Sequence, residues 1–118
     1  MLSAQHRVTA GSDYRAIVRE GTRLQSTGVT LHIVKTESSA PARFGFIVTK
    51  SVGKAHDRNT LRRRLKAVGA RLIQSGLTGV DVVIRPREQT LTMPFSELVT
   101  TIVKPMTERG FLSEAANV

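Results

Sequence analysis

Apolar residues recur along this chain with two different periods, and the switches between them mark its elements. From Val29 to Lys35 the alternation is that of a strand: Val29, Leu31 and Ile33 point one way, Thr30, His32 and Val34 the other. Phe44 to Thr49 repeats it, with Phe44, Phe46 and Val48 on one side and Gly45, Ile47 and Thr49 opposite. Val80 to Arg85 is a third strand, stopped by Pro86. Helical spacing predicts three helices. The first starts at Ser12 or Asp13, both good N-cap residues, and stops at Gly21, with Tyr14, Ile17 and Val18 on one face. The second follows a turn at Gly53, is capped by Asp57 and runs to about Gln74, ahead of Gly76 and Gly79. The third opens at Pro94 and lays Phe95, Leu98, Val99, Ile102, Val103 and Met106 along one stripe. Pro105 should kink or weaken its last turn.

The predicted order is α-β-β-α-β-α. Helices with one apolar stripe bury it most economically against a sheet, here of three or more strands, so the fold class is α+β, a small α/β sandwich. At 118 residues the chain is expected to form one domain, residues 1–118. Thr36 to Ala42, where Ser38, Ser39 and Pro41 cluster, is the expected flexible segment, together with a few residues at each end.

Composition narrows the class. Hydrophobic residues are 40% of the chain but aromatics only 4%, so aliphatic side chains fill the core. No apolar run approaches the ~20 residues of a bilayer span. Met1 to Arg7 lacks the apolar stretch of a secretory signal. The absence of cysteine excludes disulfides and thiolate metal sites. A soluble, cytoplasmic protein is expected.

Charge changes the picture most. The net charge is +9, with a sequence pI near 11.3. From Arg43 to Arg71 the chain carries nine basic residues and one acid, Asp57, so nearly the whole excess is local. On a helix at about 100° per residue, Leu61, Leu65, Val68 and Leu72 form a narrow apolar seam. Arg58, Arg62 and Lys66 make a row beside it, Arg63 lies further round the same flank, and Arg64 and Arg71 emerge on the opposite one. Like charges at i, i+4 oppose helix formation, and no acid at that spacing relieves them. A face meant only for solubility mixes both signs. An arginine-rich row without acids suits phosphate, which guanidinium forks match bidentately, and the polar start from Asp57 to Asn59 adds free backbone N–H groups. A membrane-surface role fits less well, because the apolar seam is needed for the core.

Intrinsic catalysis is not expected. His6, His32 and His56 fall in three separate elements without metal-ligand spacing, the acids are scattered, and no glycine-rich phosphate loop precedes a helix. Asp57 reads as a cap and Asp81 as an ordinary exposed strand residue. No catalytic and no metal-ligating residue is assigned.

The run from Phe44 to Lys66, FGFIVTKSVGKAHDRNTLRRRLK, resembles the central signature of the ribonuclease P protein family. It has the strand ending in Thr49-Lys50, the Val52-Gly53 turn with Ala55 two residues on, the helix opening Arg58-Asn59, and further basic residues in the next two turns. Arg7, the stretch from Asp13 to Gly21, the strand end Ile84-Arg85-Pro86 and the last helix extend the resemblance over nearly the whole chain. Thr60 stands where the family usually has a second arginine, and Ser51 where a second lysine often follows.

The resemblance implies a non-catalytic protein subunit of an RNA-based endoribonuclease that removes the 5′ leader from precursor tRNA. The implied partners are the catalytic ribonuclease P RNA and precursor tRNA, with no membrane and no obligate protein partner. No cofactor is implied for the protein alone; magnesium is expected with the RNA. On the family pattern Lys50, Arg58, Asn59, Arg62, Arg63 and Lys66, with Lys54 beside them, contact RNA. Tyr14 and His32 fall at positions of a cleft for the leader, and Val18 where an aromatic is common. From pattern alone, Tyr14 is equally an ordinary core residue and His32 a partly buried strand histidine. Composition alone also fits a ribosomal protein or RNA chaperone with no part in cleavage.

Overall fold

A computed structural model describes residues 2–113 and 118, which form three helices and a four-stranded sheet. The helices are α1 (Gly11–Glu20), α2 (Ala55–Gln74) and α3 (Phe95–Glu108). The strands are β1 (Thr22–Ser26), β2 (Val29–Lys35), β3 (Arg43–Phe46) and β4 (Val80–Pro86). The sheet order is β1-β2-β4-β3, with β3 parallel to β4 and the other pairs antiparallel. The class is α+β, as expected, and the order is α-β-β-β-α-β-α.

The added strand is β1. It holds one buried apolar residue, Leu24, and joins β2 through Thr27 and Gly28, whose φ of 77° is open to glycine at little cost. β3 ends at Phe46 rather than Thr49, although the Ile47 N–H still donates to the Ile84 carbonyl at 3.0 Å. α2 begins two residues before Asp57, which therefore sits in its first turn and accepts the Lys54 N–H at 3.3 Å. α3 continues through Pro105 to Glu108.

The two faces of the sheet have different fates. Leu24, Val29, Leu31, Ile33, Phe44, Val82 and Ile84 pack with Leu61, Leu65, Val68 and Leu72 of α2 and with Leu98, Ile102 and Met106 of α3 in the main core. On the other face a smaller cluster, Val8, Ile17 and Val83 with Tyr14, Val34 and Ile47, lies beneath α1. At ten residues α1 is only about 15 Å long. Part of that face therefore stays open.

Segments expected to be loose are tied down where they are described. Leu2 is buried, His6 Nδ1 lies 2.7 Å from the Ala42 carbonyl oxygen, and the Val8 N–H donates to the Phe44 carbonyl. Thr36 to Ala42 is not a free loop: the Thr36 N–H donates to the Gly79 carbonyl, the Gly79 N–H to the Ala40 carbonyl, and Ala42 is fully buried. Residues 1 and 114–117 of the termini lie outside the described residues.

Tyr14 explains the glycine in β3. A Cβ on Gly45 would lie 2.6 Å from the Tyr14 ring, and the Tyr14 hydroxyl accepts the Phe46 N–H at 3.1 Å. Gly45→Ala is therefore expected to displace the ring and lower stability by about 1–3 kcal/mol. Urea denaturation checks this. Gly45→Ala should also cost less in a Tyr14→Ala background, and an equal cost in both would contradict the close approach.

Candidate nucleic-acid interface

The seam of α2 faces the sheet, which decides where its cations go. Leu61, Leu65, Val68 and Leu72 are all buried. On one flank Arg64 donates to the carbonyls of Thr90, at 3.3 Å, and Met93, and Arg71 stands over the Phe95 ring at 5.8 Å. These two guanidiniums are engaged by the segment leading into α3 and by α3 itself.

The opposite flank differs. Arg58 donates to the Gly53 carbonyl at 2.9 Å, and Arg62 to the Asn59 side-chain oxygen at 2.9 Å and the Val48 carbonyl at 3.5 Å. Arg63 donates to the Thr60 hydroxyl at 3.3 Å. All of these acceptors are neutral, so they orient the guanidiniums without cancelling their charge. Among the described residues the ion pairs are Arg19–Glu20, Arg43 with Asp13 and Asp81, and His56–Asp57; none includes a lysine or arginine of α2. Lys50 and Lys54 are exposed just before the helix. Lys50, Lys54, Arg58, Arg62, Arg63 and Lys66 thus form one cationic surface without a carboxylate partner among the described residues. Asn59 acts within it by holding Arg62, and Thr60 by holding Arg63.

One basic residue of the Arg43–Arg71 run lies elsewhere, and one expectation needs correction. Arg43 does not join this surface: its guanidinium donates to both Asp81 oxygens, at 2.9 and 2.7 Å, and to Asp13 at 3.5 Å. Asp81 is not exposed but 6% accessible, because Arg43 on the neighbouring strand β3 pairs with it. The hydrogen bonds and charge of Asp81 also hold the Arg43 guanidinium above its ordinary pKa.

The open part of the second sheet face forms a cleft of about 820 Å³. His32 and Thr30 line it from β2, Arg23 from β1, Arg85 and Pro86 from β4, and Arg87, Glu88 and Gln89 from the segment beyond. Val18 of α1 and Thr49 and Ser51, on either side of Lys50, complete it. His32 is therefore in the cleft. Tyr14 is not: its ring packs on Gly45 and its hydroxyl is engaged by the Phe46 N–H. Val18, which helical spacing puts on the apolar face of α1 and the family pattern at a position where an aromatic is common, is 38% exposed and lines the cleft.

Local pattern does not reveal Arg23, Arg85 and Arg87. They belong to separate segments, and only β1–β2–β4 pairing, which sets Arg23 opposite His32 and Thr30 opposite Arg85, brings them together. The available signal is weak: a basic residue alternating with Leu24, and two flanking Pro86.

Burial, then Arg23 and Arg85, push the pKa of His32 below the ordinary imidazole value, and its buried Nδ1 has no hydrogen-bond partner among the described residues. The unfolded chain then takes up the proton first on acidification. Stability from this group is whole above the unfolded pKa of about 6.5 and declines as pH falls toward the lower folded value. His32→Gln should flatten that part of a stability–pH curve measured by urea midpoint. An unchanged slope would contradict the environment described.

Among the described residues no group of three or more His, Cys, Asp or Glu side chains gathers as a metal-ligand set, and no helix is long and apolar enough to cross a membrane.

The fold and the site define a small basic α+β protein with a cationic helix face and a separate cationic cleft. The family model described as Ribonuclease P matches residues 2–109. A ribonuclease P protein component of Clavibacter michiganensis is 48% identical over 85 residues, 72% of this chain and 75% of that protein. Another, from Gluconacetobacter diazotrophicus, is 34% identical over 111 residues, covering 93% and 96%. In fold the chain is similar to the RNase P protein of Staphylococcus aureus, with a TM-score of 0.77 at 16% identity over 95% of this chain and 98% of that one. The RNase P protein from Thermotoga maritima gives 0.73 at 24% identity, over 83% and 92%. The chain belongs to the family of ribonuclease P protein components.

Proposed function

We propose that this chain binds a catalytic ribonuclease P RNA through the cationic face of α2 and the 5′ leader of precursor tRNA in the sheet cleft, and so promotes 5′-end maturation of tRNA. One observation carries the reading: Lys50, Lys54, Arg58, Arg62, Arg63 and Lys66 share a surface on which neutral groups aim the guanidiniums and, among the described residues, no carboxylate neutralises them. Such a surface lowers the electrostatic cost of bringing a second polyanion, the precursor, against the first. The hydrolysis belongs to the RNA, where magnesium ions would generate the attacking hydroxide and stabilise the leaving oxygen. The protein's part is positional.

Cleavage of a precursor tRNA by the RNA alone and with protein, at low magnesium, tests this. Added protein should restore cleavage, and its digestion by protease after the RNA has folded should abolish the stimulation. No stimulation would overturn the reading. Stimulation that survives protease would reassign the chain to RNA folding alone.

A further inference from the structure

The cleft offers much for a phosphate and little for a base. Its cations, Arg23, Arg85 and Arg87, are exposed guanidiniums drawn from three segments, and Glu88 is the acid among its lining residues. Among the described residues Arg87 donates only to neutral groups, the Thr30 hydroxyl at 3.3 Å and the Ser26 carbonyl at 3.4 Å. Arg23 and Arg85 stand close enough to His32 to disfavour its protonation. Hydroxyls of Thr30, Thr49 and Ser51 add donors.

A stacking platform is what the cleft lacks. Sequence-tolerant binding of single strands ordinarily relies on aromatic faces worth about 1–3 kcal/mol per base. Neither Tyr14 nor any of the four phenylalanines lines this cleft. The one aromatic ring among its lining residues, His32, is only 8% accessible, too little exposed surface for a base to stack over it. Arg23 and Arg85 lie on strands two apart in the sheet, with β2 between β1 and β4, so they span roughly 10 Å across the floor, wide enough to meet different phosphates of one strand.

We propose that this cleft grips a single strand by its phosphates, through Arg23, Arg85 and Arg87, and leaves the bases unstacked and unread. This rests on the leader-binding reading above and adds the chemistry of the grip. Leader recognition by this chain then depends on the charge of the linkages and not on the identity or presence of bases.

The test uses the complete RNA–protein holoenzyme and four precursor tRNAs: one with an ordinary leader, one without a leader, one with abasic leader nucleotides, and one with uncharged methylphosphonate leader linkages. The abasic leader should retain affinity within about threefold of the ordinary one, because stacking contributes little here. The methylphosphonate leader should bind like the leaderless precursor. Arg23→Ala with Arg85→Ala, two exposed side chains, should reduce the salt slope of leader-dependent binding by about 0.7 for each phosphate left without its cation. If the abasic leader loses as much affinity as deletion while the methylphosphonate leader binds normally, the bases carry recognition and the proposal is overturned. If ordinary and leaderless precursors bind equally, the leader-binding reading itself fails.

Discussion

Replacing Leu65 by alanine is expected to lower the unfolding free energy by about 2–5 kcal/mol, the range for emptying a large aliphatic site in a packed core. Leu65 has 0% accessibility and sits mid-seam on α2, in one cluster with Phe44, Ile84, Leu98 and Ile102. Sheet and α3 both fix that site, so it cannot collapse cheaply. Two positions away, Arg63 is exposed and among the described residues reaches only the Thr60 hydroxyl, so Arg63→Ala should stay within about 0.5 kcal/mol. Urea titrations of both variants give the comparison. A loss below about 1 kcal/mol for Leu65→Ala would mean that the seam does not face the sheet, and the outward direction of the cations would fall with it.

The second large effect is on RNA binding. If about five phosphates are neutralised by the α2 face, log affinity should fall against log salt with a slope of about −3 to −5. Between 50 and 200 mM salt that amounts to roughly 60- to 1000-fold. Arg62→Ala should reduce the slope by about one and weaken binding evenly across RNA sequences, with little change in folding. Arg64→Ala should do the opposite. Its guanidinium is engaged by the Thr90 and Met93 carbonyls, so its removal should cost about 1–3 kcal/mol of stability and leave the slope unchanged. Filter binding over a salt series, beside thermal melts, separates the two. A flat titration, or Arg64 and Arg62 behaving alike, would contradict the division of the helix into an inner and an outer flank.

Features written within one element are legible in the sequence. α2 announces itself through a period that repeats along a single helix, so its seam and the row from Arg58 to Lys66 emerge from spacing alone. β1 escapes because Leu24 is its one buried apolar residue, and a five-residue edge strand with a single inward side chain carries almost no periodic signal. Asp81 reads as exposed because its partner, Arg43, is 38 residues away, and only the parallel pairing of β3 with β4 brings them together. Tyr14 leaves the cleft for the same kind of reason: a glycine in β3, 31 positions further along the chain, makes room for its ring. The family resemblance supplies the cleft as an idea, but its arginines come from sheet register, which no local pattern records.

The central claim is directional: the outer flank of α2 meets RNA. The chain contains no cysteine, so one can be introduced at a chosen position and labelled with a photoreactive group without a competing thiol. Labelled Arg63→Cys, assembled with ribonuclease P RNA and irradiated, should cross-link to that RNA. Labelled Lys104→Cys, at an exposed position on α3, should not. Cross-linking from position 104 but not from 63 would contradict the account.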